Sequence, residues 1–453
     1  MMKKWIAMLL IAGLLSGILA GCGGDASNGK DSETPDAGKT SETKSTAEST
    51  AKTSAEPTEL SFWIFNEVHK QFYEPGIEDW NAKNPDKPVN VTFEMYPNQE
   101  LGSKLLIALQ SGTGAPDIVD ININYFSNFL QGDIQLAPLN SVVDPVRSQF
   151  IQSRFDCYSK DGVVYGLPTH VGATVVYYNK ELCDAAGIDI DSLDTWDKFE
   201  QAGRDYLKKT GKKWIGIETG NQRPFWPMIV QRGGDYLDKD GNVVLDSQIN
   251  IDVLTQLNRW YNIDQFAVDF PGGSTATEET FSFINSGEIA SLIMPMWYMS
   301  RFINYMPDLK GKVYVRPMPR SGPNDALSAG IGGTGTSVTL QSKNVDLAVE
   351  LLAHLKLSPE ANIRFWTHAA FDPPRWDVWD APELQKPDEY FGNEKVFDTL
   401  LKLKDNIPSP NYGDLSAAAQ DIVMNTVMYQ ALVEKQDPAT VLRNAANELR
   451  AKQ

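Results

Sequence analysis

Two short runs of alternating apolar and polar residues open the apolar-rich part of the chain, at 59–65 and 89–95. Alternation with a period of two predicts β-strands, with Phe62 and Ile64 on one face of the first strand and Trp63 on the other. The pattern over 71–81 predicts a helix between these strands. A second predicted helix ends before Gly112, and the apolar run at 116–121 predicts a third strand. This order predicts an α/β domain.

Helical and strand patterns continue to alternate through the rest of the chain. Asp194 and Thr195 precede a helical stripe that stops at Gly211, and apolar residues at helical spacing over 347–355 predict another helix. Asp437 and Pro438 have the residue types of an N-cap and first turn, which predicts a last helix. We therefore expect open sheets with helices on both faces.

The first 21 residues have the features of an export signal, because Lys3 and Lys4 precede an uncharged apolar stretch at 5–19. Residues 19–22, Leu-Ala-Gly-Cys, resemble the bacterial lipobox, in which the cysteine carries lipid; an ordinary signal with a chance cysteine is the alternative. Residues 23–58 contain no large apolar residue. We predict a signal peptide over 1–21, a lipidated Cys22, and a disordered tether over 22–58 that holds the protein at the extracellular face of the cell membrane.

Composition narrows the function classes. The 453 residues include 59 acidic and 41 basic ones, and the net charge of −18 disfavours charge-driven binding to nucleic acid. Three cysteines exclude a disulfide scaffold, and Cys157 and Cys183 either pair or stay as separate buried thiols. Residues 330–335 match the dinucleotide-binding pattern of spaced glycines, but the strand-forming residues that follow predict a strand rather than the required helix. We predict no cofactor and no metal.

Several segments together resemble the family of extracellular solute-binding proteins that feed sugar ABC importers. They include Gly-Ala-Pro-Asp-Ile at 114–118, Asp-Gly-Val-Val-Tyr-Gly-Leu-Pro at 161–168, Asp-Thr-Trp-Asp at 194–197, Phe-Ile-Asn-Ser-Gly-Glu-Ile-Ala at 283–290, and the segments at 59–65, 175–180, 341–348 and 358–360. Within the family, the segments at 63–73, 169–172, 294–311 and 371–379 are most similar to members that take arabinose oligosaccharides.

The resemblance implies a periplasmic-binding-protein-like fold of type II, in which two α/β lobes close about a hinge of crossing strands. Residues 59–168 and 315–360 would form lobe one, and residues 169–314 and 361–453 would form lobe two. The ligand implied is an oligosaccharide held between the lobes. The partner implied is an ABC permease with its ATPase, and we expect the receptor to be a monomer without enzymatic activity.

A sugar site needs flat aromatic rings for stacking and polar side chains for directional hydrogen bonds. At a predicted strand end Trp297 is the first stacking candidate, and Trp226 is the second, in a loop between prolines. The other candidates are polar or aromatic residues near predicted strand ends, the first crossover and an aromatic-rich loop: Tyr298, Arg301, Asn66, Glu67, His69, Asn124, Tyr125, His170, Arg375 and Trp376. For each one, packing in the core or a solvated loop is the alternative.

A surface glycosidase is the competing function, and it would need two carboxylates roughly 5 to 10 Å apart across the cleft. The abundance of acidic residues leaves that alternative open at this level. An adhesive lipoprotein without a small ligand is a third.

Overall fold

The structure, a computed structural model, describes residues 55–404 and 406–453. The predicted signal peptide, Cys22 and the tether up to residue 54 lie outside the described residues. Within the described part no helix is both long enough and apolar enough to span a bilayer. The strands are β1 Thr58–Ile64, β2 Val89–Met95, β3 Ile118–Asn122, β4 Ser159–Lys160, β5 Val163–Val164, β6 Leu167–Pro168, β7 Thr174–Asn179, β8 Lys213–Ile217, β9 Ala267–Asp269, β10 Ile289–Pro295, β11 Val313–Arg316 and β12 Thr334–Val338.

The helices lie between and after these strands. The α-helices are α1 Lys70–Lys83, α2 Asn98–Ser111, α3 Ile123–Phe126, α4 Asn140–Val143, α5 Ser153–Asp156, α6 Lys180–Ala186, α7 Trp196–Thr210, α8 Phe225–Gln231, α9 Gln248–Asn258, α10 Glu278–Asn285, α11 Met299–Tyr305, α12 Val345–Leu357, α13 Pro359–Ala369, α14 Phe397–Leu403, α15 Ser416–Ile422, α16 Met428–Leu432 and α17 Pro438–Arg450. Short 3₁₀ turns cover Glu67–His69, Ser127–Leu130, Arg147–Gln149, Ile190–Ser192, Pro271–Gly273, Met296–Tyr298, Pro307–Leu309 and Trp376–Val378, and π turns cover Arg259–Ile263 and Val423–Val427.

The predicted local signals correspond to observed element ends. Thr195 caps α7, because its hydroxyl accepts the Lys198 N–H, and Gly211 ends the helix with a φ of 72°. Asp437 caps α17 in the same way, with Pro438 as the first helical residue. The glycine-rich run at 330–335 leads into strand β12, as predicted, and not into a helix.

The first sheet has the strand order β2-β1-β3-β12-β6, with β1, β2 and β3 parallel and β12 antiparallel to β3. Its two faces are buried against different helices. Phe62 and Ile64 pack in one apolar cluster with α1, α12 and α13, whereas Trp63 packs in another cluster with α2. Successive residues of β1 therefore point alternately into two different buried clusters, one on each face of the sheet. We call the part built on this sheet lobe one.

The second sheet has the order β11-β7-β10-β8-β9, and we call the part built on it lobe two. Strand β10 is buried along its whole length, with Ala290 and Ile293 in one cluster and Leu292 and Met294 in the other. Continuous apolar sequence is expected where both faces of a strand are covered. Helices α14 to α17 pack in the cores of this lobe.

The chain passes between the lobes through three crossing segments, at 169–173, 317–333 and 370–375. Two elements do not follow the predicted boundaries at 315 and 360. Strand β11 pairs with β7 in lobe two, and helix α13 packs on α1 in lobe one. The chain therefore leaves lobe two after β11 and leaves lobe one after α13, because those elements bury their apolar residues there.

The crossing segments are tied to one another by buried hydrogen bonds. Ile331 N–H donates to Gly172 O at 2.8 Å, and Val171 N–H donates to Asp372 O at 2.9 Å. The Asp372 side chain, which is fully buried, accepts the Ala173 N–H at 2.7 Å. Each segment is thus held by a neighbouring one, which is what a hinge between two rigid lobes requires.

We expect Asp372→Asn to stabilise the protein more at pH 8 than at pH 5. Burial raises the pKa of Asp372 to about 7. A carboxyl whose folded pKa lies above its unfolded value of about 3.9 contributes stability that is complete below pH 4 and is lost as the pH rises through 7. Asparagine keeps an acceptor oxygen but carries no charge. Urea unfolding at both pH values should show the stability difference between variant and wild type rising by at least about 1.4 kcal/mol, the worth of one pKa unit. An equal difference at both pH values would refute this.

Candidate functional site

The topology brings the carboxyl ends of the parallel strands in both sheets toward one place. Thr334, at the start of β12, lies beside Asn122 at the end of β3, and Thr174, at the start of β7, lies beside Pro295 at the end of β10. The crossing segments that lead to these starts pair with each other at Ala173 and Gly330. We define the cleft as the region between these two carboxyl edges, with the crossing segments as its base. Carboxyl edges are where open α/β sheets bind ligands.

Trp297 follows β10 at the lobe-two edge and is partly buried. Its ring packs against an apolar cluster of lobe two and also against one of lobe one. The indole Nε1 donates to Ile331 O on the second crossing segment at 3.4 Å. The guanidinium carbons of Arg223 and Arg301 lie 5.5 and 5.9 Å from the ring centre. An aromatic ring at the base of the cleft, with two donor groups beside it, can stack on a sugar face and leave its hydroxyls within reach of those donors.

Arg223 is held in place by Glu218, which the sequence analysis did not select. Glu218 is fully buried and accepts from Arg223 Nη1 at 3.1 Å and from the Thr275 N–H and hydroxyl at 2.8 and 2.6 Å. Glu218 directly follows β8, so the strand-end rule that selected Trp297 applies to it as well. The carboxylate links the loops after β8 and β9 at the lobe-two edge.

Arg301 lies on α11, one helical turn after Trp297, and is partly buried. Its Nη1 donates to Ser300 Oγ at 2.9 Å, and no carboxylate within the described residues lies within 4 Å of it. Burial lowers the pKa of Arg301 from its ordinary value. Guanidinium donors are therefore available beside Trp297.

The lobe-one edge carries four of the predicted residues. Asn66 is partly buried and caps the turn after β1, since its side-chain oxygen accepts the Val68 N–H, and Glu67 is exposed. Asn124 and Tyr125 lie in α3, directly after β3. Helix α15 of lobe two packs against α3, and burial together with Asp421 raises the pKa of Tyr125. These residues follow the strand ends as predicted.

Three of the predicted ligand-binding residues have side chains that are buried and bonded within a lobe. Trp226 is 2% exposed, donates to Asp235 at 3.0 Å and stacks on Tyr236. Tyr298 is 1% exposed, and its hydroxyl donates to Thr275 O at 2.9 Å. His69 is 2% exposed, with its Nδ1 2.6 Å from the Asp120 carboxylate. Each of these three side chains packs in a core, which is the alternative given for it in the sequence analysis.

His69 belongs to a buried polar cluster beneath the lobe-one edge. The Asp120 carboxylate also accepts from Tyr73 at 2.9 Å and from Thr336 at 2.6 Å. Lys356, fully buried, donates to the Tyr73 hydroxyl at 3.0 Å and to Thr169 at the start of the first crossing segment. The cluster therefore joins strands of the first sheet to the hinge.

Three further candidates lie at or beside the hinge. His170 is buried next to Phe371 and has no hydrogen-bond partner among the described residues on either ring nitrogen. It is kept neutral because burial lowers its pKa well below the ordinary value. Arg375 is buried and bonded to Leu357 O and Asp377, and Trp376 is 40% exposed and donates to Ser148 O. For Arg375 and Trp376 the contacts are structural, and none joins them to the residues around Trp297.

No group of three or more His, Cys, Asp or Glu side chains is placed to hold a metal ion in the part of the chain that the structure describes. Within the described residues Cys157 and Cys183 form no disulfide, and both are buried.

Comparison with known proteins gives one family and one fold. The model of the bacterial extracellular solute-binding protein family matches residues 66–363. The chain is 42% identical over 397 residues to the arabinooligosaccharide-binding protein of Halalkalibacterium halodurans, covering 87% of this chain and 89% of that one. It is 40% identical over 458 residues to the arabinooligosaccharide-binding protein of Bacillus subtilis, covering all of both chains.

Among solved structures, the GacH receptor of Streptomyces glaucescens superimposes with a TM-score of 0.73 at 19% identity, over 88% of this chain and 98% of that one. This similarity confirms the predicted two-lobe α/β fold. The family match, which covers most of the two-lobe body, and the two relatives agree with the resemblance found in the sequence. The chain belongs to the family of bacterial extracellular solute-binding proteins.

Proposed function

We propose that this protein is a receptor that captures an oligosaccharide in the cleft and delivers it to an ABC import permease. The observation that carries this proposal is Trp297, an aromatic ring between the two lobes at the base of the cleft. It is supported by two relatives that are arabinooligosaccharide-binding proteins. A ligand that contacts both edges binds the closed form more tightly than the open form, and so shifts the lobes toward closure. The permease would recognise the closed form.

The ligand class is an oligosaccharide of arabinose. Two relatives with 40% and 42% identity carry that specificity in their names. In this proposal Trp297 stacks on one sugar ring, Arg301 and Arg223 donate to its hydroxyls, and Asn66, Glu67, Asn124 and Tyr125 bind hydroxyls from the opposite edge. His170 lies at the base of the cleft and can donate and accept as a neutral imidazole.

A thermal-shift screen against monosaccharides and α- and β-linked oligosaccharides tests the proposal, and chromatography of the same mixtures tests the enzymatic alternative. A receptor should give a clear shift with arabino-oligosaccharides and return them intact. Shortened products would favour a glycosidase. The absence of a shift with every sugar would favour a protein without a small ligand.

We also propose that lipid on Cys22 holds the protein at the outer face of the cell membrane, where it works as a monomer. Cys22→Ser should release a folded protein from the membrane, because the lipid is the only apolar anchor expected after signal removal. Membrane fractionation measures this, and wild-type protein is the control. Recovery of the processed variant in the membrane fraction would contradict the anchor.

A further inference from the structure

Arg154 of α5 is a fully buried cation at the junction of lobe one and the hinge. Its guanidinium donates to two backbone carbonyls of the second crossing segment, Gly330 O at 3.3 Å and Gly332 O at 2.9 Å. No carboxylate within 55–404 or 406–453 lies within 4 Å of it, and its Nε has no partner. Burying a cation without an ion pair costs several kcal/mol. The Asp372 carboxylate, which lies beyond ion-pair distance, offsets part of that cost, and the two carbonyl bonds to the crossing segment are the side chain's direct contacts.

Arg154 donates to the carbonyls of Gly330 and Gly332, which flank Ile331 in the chain. Ile331 is the residue that contacts the Trp297 indole. Ile331 O accepts the Trp297 Nε1–H, and a Cβ atom built on Gly332 would lie 3.0 Å from that nitrogen. Gly332 has a φ of +80°, which side chains rarely adopt. The polar edge of the indole thus lies directly on the backbone that the guanidinium fixes.

The rest of the crossing segment leaves little freedom to move on its own. A Cβ on Gly333 would lie 2.4 Å from the Tyr158 hydroxyl and 2.7 Å from Arg154 Nη2. On the other side, Gly330 N–H donates to Pro408 O and Ile331 N–H donates to Gly172 O, both at 2.8 Å. The position of this backbone is therefore set by lobe one, by the hinge and, through Pro408, by the segment that follows α14 in lobe two.

We propose that Arg154 is a positioning residue for ligand binding: from lobe one, it fixes through the carbonyls of Gly330 and Gly332 the surface on which the Trp297 ring of lobe two rests. The position of the ring is then fixed relative to both lobes. The affinity for a sugar that stacks on the ring therefore depends on the angle between the two lobes. This inference rests on the proposed role of Trp297 in binding.

The test uses full-length Cys22→Ser protein labelled with 5-fluorotryptophan, in which fluorine NMR resolves tryptophan environments. Trp297→Phe assigns the Trp297 signal. Lysine has a single ammonium and cannot hold two carbonyls as the planar fork of arginine does. Arg154→Lys should therefore shift the Trp297 signal of the unliganded protein and weaken arabino-oligosaccharide binding by about threefold or more, a part of the ten- to hundredfold that an aromatic anchor contributes.

Arg316→Lys is the control, because Arg316 on the edge strand β11 also donates to a backbone carbonyl, and its guanidinium carbon lies 5.8 Å from the ring centre of Tyr314. Unlike Arg154, it also forms ion pairs with Asp191 and Glu394. Arg316→Lys should leave the Trp297 signal and the affinity unchanged. If Arg154→Lys does not fold, Arg154→Gln replaces it, since glutamine removes the guanidinium and cannot hold both the Gly330 and the Gly332 carbonyl.

An unmoved Trp297 signal in folded Arg154→Lys protein, or in Arg154→Gln where that variant is needed, would overturn the positioning role. Unchanged affinity in Trp297→Phe would instead count against the proposed binding role of Trp297. The fluorine signal is read without ligand, so the two failures are distinguishable.

Discussion

Trp297→Ala should weaken binding of an arabino-oligosaccharide by about ten- to a hundredfold, or roughly 1.5 to 3 kcal/mol, as expected for an aromatic anchor. The ligand-free variant should lose less folding stability than a variant that removes a core tryptophan. Trp297 is partly buried at the cleft and gives up only part of its packing. Isothermal titration calorimetry measures the affinity, and urea unfolding of the ligand-free protein measures the stability.

Trp226→Ala is the matched control in the same lobe. Trp226 is enclosed by the core and bonded to Asp235, so its removal should cost about 3 to 5 kcal/mol of folding stability. Any variant protein that remains folded should bind ligand nearly normally. Near-normal affinity in Trp297→Ala, combined with a large fall in the urea midpoint of unfolding, would show that Trp297 is a core packing residue and does not bind the ligand.

Asp120→Ala should cost about 3 to 5 kcal/mol of folding stability, because it leaves Lys356 buried without its nearby carboxylate and His69, Tyr73 and Thr336 without their acceptor. Burial opposes ionisation of Asp120, but His69, Lys356 and Thr336 more than offset it and hold its pKa below the ordinary value. A carboxylate of this kind contributes stability above pH 4 that is lost as the pH falls through its folded pKa.

The cost of Asp120→Ala should therefore be full at pH 7 and should shrink as the pH falls below about 4. Urea unfolding at several pH values measures it. Asp86→Ala, at an exposed position of lobe one, is the control and should change stability by less than about 0.5 kcal/mol. A small and pH-independent effect of Asp120→Ala would show that the buried cluster is not held together by this carboxylate.

Local patterns were enough to predict the sheets and their flanking helices. The alternation around Phe62 and Trp63 gave the two buried faces of β1, and Thr195 and Gly211 gave the ends of α7. The lobe boundaries were harder to predict, because the lobe to which β11 and α13 belong depends on partners far away in the chain. Val315 of β11 pairs with Tyr177, which is 138 residues away. Phe365 of α13 packs on Phe72, which is 293 residues away. No local pattern contains that information.

The site was predictable only where a residue's position depended on a strand end. Trp297, Asn66 and Asn124 follow strands, and the structure has them at the carboxyl edges. Trp226 lies between two prolines, which favoured a loop, yet α8 starts at Phe225 and all of its residues are buried. The burial of His69 could not be predicted, because its partner, Asp120, is 51 residues away in the chain. Arg154 was missed for the same reason, since its partners are 176 and 178 residues away.

A crystal structure of the protein soaked or grown with an arabino-oligosaccharide tests the central claim most directly. The proposal predicts an intact oligosaccharide between the two carboxyl edges, with one sugar ring against the Trp297 indole and hydroxyls within hydrogen-bond distance of Arg301 and of the lobe-one edge. A ligand bound outside the cleft, or a cleaved product inside it, would contradict the account.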